Sequence, residues 1–351
     1  IEAARKIGMP KNNQGGIAKI GGEDILDVSV NVQMRRWPAP PGHCNTLWGW
    51  GSTDLWRRGK FVMCRPDPKF SDVNASKVVA YHRTMHRHAV PDTFVDAHNV
   101  AITFKDLSMA QSEVAKSWPA QTERDRSFNP SLLPSLGSLR ADCTIDNSGS
   151  ANWLRFDQIK HWFGSGANRG VMASTKRKDF QCTDTVRHTV MITSRDGHAN
   201  MFHSHEDIFN AWVVMATLDV SMRGLQHYFT DGYPKEPLLA IWQHLLGDPA
   251  LPVLGGYELG KKYSDAHYTC YKRIIWNMPG VASPWATLIG SRTRCRGCPL
   301  FKSYGYAVMS RLGSANLDTR TYAKFPPPPL PGILPGGGVV GTSKLVVTWI
   351  T

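Results

Sequence analysis

The run from His188 to Met215 constrains this chain more than any other stretch. His188 to Thr193 (HTVMIT) is a mostly apolar, β-branched run that predicts a buried strand. Ile208 to Met215 (IFNAWVVM) predicts a helix. Between them, the 14 residues Ser194 to Asp207 hold an Arg, an Asn, three His and three acids. Strand, polar turn and helix make up the unit of an α/β fold, and such folds gather ligands at the carboxyl ends of their strands. If the helix opens near Asn200, then His203, Asp207 and Asn210 fall at i, i+4 and i+7 on one face. Ile208, Trp212 and Met215 lie roughly opposite and would pack on the sheet. A plainer reading is an acid-rich first turn that complements the helix dipole. Spacing alone leaves both readings open.

The same alternation continues downstream. Short strands are expected around His227 to Thr230 and Arg273 to Trp276, and helices over 203–218, from Glu236 to Leu246 and around Tyr304 to Arg311. The expected architecture for 180–320 is a mainly parallel, Rossmann-like sheet flanked by helices. Residues 1–41 are basic, contain Gly and Asn, end in Trp37-Pro38-Ala39-Pro40-Pro41, and read as an extended stem or arm. Residues 42–324 then form one α/β domain, with a Pro/Ser-rich insertion near 117–140. The Pro-rich, then Gly-rich segment 325–344 reads as a stiff spacer joined to a flexible one, and so as a linker to the strand-like Val346 to Thr351.

The 351 residues include 42% hydrophobic residues and 12 Trp, enough for a large core. No apolar run approaches the ~18 residues of a membrane span. A net charge of +13 implies attraction to polyanions. The basic residues are scattered, however, in groups such as Arg57-Arg58-Gly59-Lys60 and Lys176-Arg177-Lys178, and form no helix-length stripe or nucleic-acid module. A solvated basic surface, usable by a polyanion or an assembly partner, fits better.

In a lumenal protein the seven Cys would give up to three disulfides with one left over. Cys295-Arg296-Gly297-Cys298 lacks the second pair that zinc needs and the context of a redox motif, so it reads first as disulfide partners and next as core thiols outside any disulfide. Asn74-Ala75-Ser76 is a glycosylation sequon, which fits secretion but occurs readily by chance.

The order Arg195…Asn200-x-Phe202-His203-x-x-x-Asp207 resembles the family 61 glycosyltransferases, most closely the plant-type β-1,2-xylosyltransferases that act on N-glycans. The likeness continues in Phe180-Gln181-Cys182, Thr230-Asp231-Gly232 with Trp242, Cys270-Tyr271-Lys272-Arg273, Met278-Pro279-Gly280 and Val346 to Thr351, and so covers about residues 180–351. It implies the acceptor-side domain of a two-domain, GT-B-like enzyme, followed by the first strand of a donor-side domain. The family's Gly-rich, His-containing donor segment has no counterpart here, so the remainder and a membrane anchor are expected outside this chain. A lumenal home in the Golgi or ER, and a disulfide at Cys182 or Cys270, follow from the same resemblance.

The implied activity is inverting transfer of a sugar, xylose among the donors, from a UDP-sugar to a glycan or glycoprotein acceptor. No tightly bound cofactor and no metal are expected. Such transfer needs a base for the acceptor hydroxyl and positive charge for the departing diphosphate. Asp207, His203 and Asp231 are the candidate catalytic residues, and Arg195, Asn200, Glu206 and Asn210 the candidate substrate-binding ones. The alternative is a non-catalytic, glycosyltransferase-like subunit of a larger, for example organellar, assembly. A third reading takes His203-x-His205 as a metal pair, but no further ligand set completes it.

Overall fold

Two apolar layers sandwich one sheet. The computed structural model describes residues 19–20, 23–40, 42–66, 75–83, 92–104, 137–146, 159, 162–163, 172–195, 201–231, 238–262, 267–278 and 298–313. The strands are β1 (Lys19–Ile20), β2 (Glu23–Asp24), β3 (Lys60–Arg65), β4 (Lys77–Arg83), β5 (Asp92–Ile102), β6 (Leu139–Ala141), β7 (Thr144–Ile145), β8 (Met172–Ser174), β9 (Cys182–Thr193), β10 (Leu225–Phe229) and β11 (Tyr268–Trp276). The helices are α1 (Val30–Arg35), α2 (His43–Trp48), α3 (Trp50–Arg58), α4 (Met201–Leu218), α5 (Leu238–Leu246), α6 (Gly256–Lys262) and α7 (Pro299–Gly313).

The main sheet has nine strands in the order β10-β9-β11-β5-β4-β3-β7, with β6 pairing β5 and β8. The protein is therefore α/β with a mixed sheet and flanking helices. β9 pairs parallel with β10 and β11, as expected for the 180–320 region. The parallel character does not extend across the sheet: β11 pairs antiparallel with β5, and β5, β4, β3 and β7 continue antiparallel. β3, β4 and β5 follow one another in sequence, and antiparallel neighbours can be joined by a short connection, whereas the parallel β9 and β10 need a crossover, here α4.

β5 changes face partway along. Asn99 takes a left-handed φ of 52°, a conformation Asn tolerates better than most residues. Pairing with β11 keeps one register through this point, from Val100↔Tyr271 to His98↔Arg273, so Asn99 turns β5 opposite Lys272 without adding a residue to the ladder. Before it, Phe94 joins the core under α4; beyond it, Val100 and Ile102 join the opposite core with Phe104 and Trp276. Ser76, the third residue of the sequon, is locked into this corner. Its hydroxyl donates to Asn99 O at 2.6 Å and accepts from Asp142 N at 2.9 Å. The fold thus accounts for Ser76 without glycosylation.

α4 forms because Ile208, Trp212 and Met215 recur at helical spacing, and all three are buried. It ends in a Schellman motif: Asp219 is left-handed (φ 59°) and Val220 N donates to Met215 O at 3.0 Å. Arg57 of α3 covers two more terminal carbonyls, of Thr217 (2.8 Å) and Ala216 (3.1 Å). Charge and composition mislead at the amino end. Within the stretch read as an extended arm, Ser29 caps α1, and Ile25, Leu26, Val30 and Met34 are buried in the α4 core. Gln33 fixes the approach by donating to Val28 O at 2.9 Å. Most of the 117–140 insertion, the 325–344 linker and the strand from 345 lie outside the described residues.

Cys182 is bonded to Cys270 and Cys64 to Cys143, as the oxidising-compartment reading expects of Cys182 and Cys270. Cys298 instead keeps a buried thiol, which burial pushes up from its ordinary pKa; the C-x-x-C reading as disulfide partners therefore fails at Cys298. Among the described residues, no helix is long and apolar enough to cross a membrane.

His227 on β10 is fully buried against Trp242, with ring centroids 5.3 Å apart. Burial pushes its pKa down from 6.5 to about 4, against a smaller opposing effect of the Leu246 backbone. Above pH 6.5 both folded and unfolded forms are neutral at this site. Below it the unfolded chain takes up a proton that the folded one refuses, so stability is lost as pH falls from 6.5 toward 4, by about 3 kcal/mol in total. Urea melts across that range should show this slope in the native protein and a shallower one in His227→Leu. Parallel slopes would mean that His227 is hydrated or charged in the fold.

Candidate functional site

The candidate residues lie where β9 and β10 end and α4 begins. Two residues beyond β9, Arg195 meets Asp231, two residues beyond β10. The parallel register of Thr193 with Phe229 brings these two chain segments side by side. Arg195 Nη2 donates to Asp231 Oδ1 at 2.7 Å and Nε to Oδ2 at 3.0 Å, the two-pronged geometry of a guanidinium on a carboxylate. The Arg195 backbone N donates to Oδ2 as well, at 2.8 Å. The guanidinium also sits over the Phe229 ring, 4.4 Å from its centroid. The side chains are 4% and 0% exposed, so this is a buried ion pair.

That burial revises two assignments. Asp231, expected as a catalytic group, has both oxygens engaged by Arg195 and no exposed surface; its geometry suits holding Arg195 rather than meeting an acceptor. Arg195, expected to bind substrate, spends its charge on Asp231.

The first turns of α4 hold the remaining candidates. His203 Nδ1 lies 3.2 Å from Glu206 Oε2, with side-chain exposures of 38% and 5%. The carboxylate set against the ring is thus the one at i+3, where spacing had suggested Asp207 at i+4. Asp207 is 0% exposed. Its backbone carbonyl accepts from Asn277 Nδ2 at 3.2 Å, and the same amide reaches Thr193 Oγ1 at 3.3 Å. Asn277, one residue past β11, therefore ties α4 to the strand ends. Asn210 is buried and donates to Met278 O at 3.4 Å, also joining α4 to the end of β11. These two residues stitch elements together; a reagent in solution meets His203 first. Asn200 lies outside the described residues.

His205 points elsewhere. Its ring lies 3.1 Å (Nε2) from the hydroxyl of Tyr304 on α7, and burial lowers its pKa and raises that of Tyr304. Residues two apart on a helix project from different sides, so His203 and His205 diverge and the metal-pair reading loses its geometry. Among the described residues, no group of three or more His, Cys, Asp or Glu is placed to hold a metal ion. Sequence reasoning missed Asn277 and Tyr304. The only signal for Asn277 was its place directly after an apolar strand, and Tyr304 had none beyond helical periodicity.

No family model, no curated protein and no solved structure matches this chain.

Proposed function

We propose that this chain is the acceptor-side domain of an inverting glycosyltransferase, moving a sugar from a UDP-sugar to a glycan or glycoprotein. The observation that carries the reading is the half-exposed His203, backed by a buried carboxylate, at the carboxyl end of adjacent parallel strands. That is where α/β folds bind ligands, and a histidine so placed is suited to take a hydroxyl proton. The order of Arg195, His203, Asp207 and Asp231 along the chain supports it, as do the paired cysteines of an oxidising compartment. The buried state of Asp207 and Asp231 favours a second reading, a non-catalytic subunit that keeps the architecture and not the chemistry.

The test is the full-length polypeptide incubated with UDP-xylose or UDP-N-acetylglucosamine and an N-glycan or glycoprotein acceptor. Transfer appears as a sugar-sized mass increment on the acceptor, and UDP binding as heat in calorimetry. Neither heat nor transfer with any donor would remove the enzyme reading and leave the subunit.

A further inference from the structure

We infer that His203 is the catalytic base of this site and that Glu206, not Asp207, is the residue that positions it. This rests on the glycosyltransferase reading above and assigns roles within it. Three observations combine. The Glu206 carboxylate lies against Nδ1 of His203 at 3.2 Å, so a proton on Nδ1 is held in that contact and Nε2 is left as the basic nitrogen. Glu206 is 5% exposed and the imidazole 38%, so the carboxylate sits behind the ring and the ring faces outward. Asp207, the other acid within helical reach, has no exposed surface. A buried carboxylate behind an accessible imidazole fixes the ring's tautomer and orientation.

The step then balances. The acceptor hydroxyl oxygen attacks the anomeric carbon of the UDP-sugar, and the bond from that carbon to the diphosphate oxygen breaks. UDP leaves with the electron pair, and the hydroxyl proton passes to Nε2 of His203. The product carries the inverted anomeric configuration, and the imidazolium returns its proton to solvent.

The experiment compares wild type, His203→Gln, Glu206→Gln and Asp207→Asn in the full-length polypeptide. It measures kcat and KM for transfer, and the 15N shifts of the His203 ring. His203→Gln should lower kcat by ~10²–10⁴ with donor KM little changed, the range for loss of a general base. Glu206→Gln should lower kcat with donor KM kept and move the 15N shifts of the His203 ring toward a mixture of tautomers, a change that a merely structural residue would not produce. The wild-type ring should be protonated on Nδ1. Transfer by His203→Gln within about twofold of wild type, or a wild-type ring protonated on Nε2 with Nδ1 bare, would overturn the dyad while leaving glycosyl transfer standing. A fall in kcat for Asp207→Asn as large as that for His203→Gln, with Glu206→Gln unaffected, would hand the positioning role back to Asp207. A wild type that transfers no sugar would overturn the enzyme reading, and His203 as its base with it.

Discussion

Replacing Asp231 by alanine is expected to destabilise the fold by about 3–5 kcal/mol, because it leaves the guanidinium of Arg195 buried without its counter-charge. Arg195 is 4% exposed and lies on Phe229, so water cannot easily take over the missing partner. Removing both charges, in Arg195→Met with Asp231→Leu, is expected to recover most of the loss, since a buried ion pair is often nearly neutral against an apolar pair of similar volume. Urea midpoints of the two singles and the double form the cycle that isolates the coupling. Single variants within about 1 kcal/mol of wild type would show that the pair opens to solvent. A double variant that folds but no longer binds UDP in calorimetry would show that Arg195 also reaches substrate.

Removing the Cys182–Cys270 disulfide should have an effect of the same order. It closes 88 residues of chain between the neighbouring strands β9 and β11. In the chain-entropy account, a loop of that length stabilises the folded state by about 4–5 kcal/mol, through the freedom it denies the unfolded chain. The double variant Cys182→Ala with Cys270→Ala leaves no stray thiol and should shift the denaturation midpoint accordingly. Its midpoint should also become insensitive to a reductant confined to this bond. A loss below ~1 kcal/mol would mean that the reduced chain keeps β9 and β11 paired when unfolded elsewhere.

The region around α4 was readable because its apolar residues keep one period and its neighbours are close in sequence. Strand 188–193, helix 203–218 and strand 273–276 fall within the observed β9, α4 and β11, and strand 227–230 overlaps β10 but runs one residue past its end at Phe229. The antiparallel half was not readable. Asn99 breaks the two-residue period of β5, so residues 92–102 show no single apolar face. α1 was hidden by basic neighbours, although Val30 and Met34 at i, i+4 carried the signal. In the site, helical spacing places both i+3 and i+4 beside His203, and only the fold chooses Glu206 over Asp207. The contact of Arg195 with Asp231 spans 36 residues and exists only because β9 and β10 are neighbours.

The position of β11 has a consequence for how the chain is made. Among the described residues it is the last strand in sequence, yet it sits between β9 and β5 in the middle of the sheet. As the polypeptide leaves the ribosome, the meander β3–β4–β5 and the pair β9–β10 can each assemble, but each keeps an unpaired edge where β11 belongs. Those edges are apolar, with Val95 and Ala97 on one and Val190 and Ile192 on the other. Exposed edges of this kind recruit other strands, and pairings so distant in sequence form slowly. Nascent chains that have not yet released Tyr268 to Trp276 are therefore the species most dependent on chaperones, and fragments ending before Tyr268 should aggregate while longer ones stay in solution.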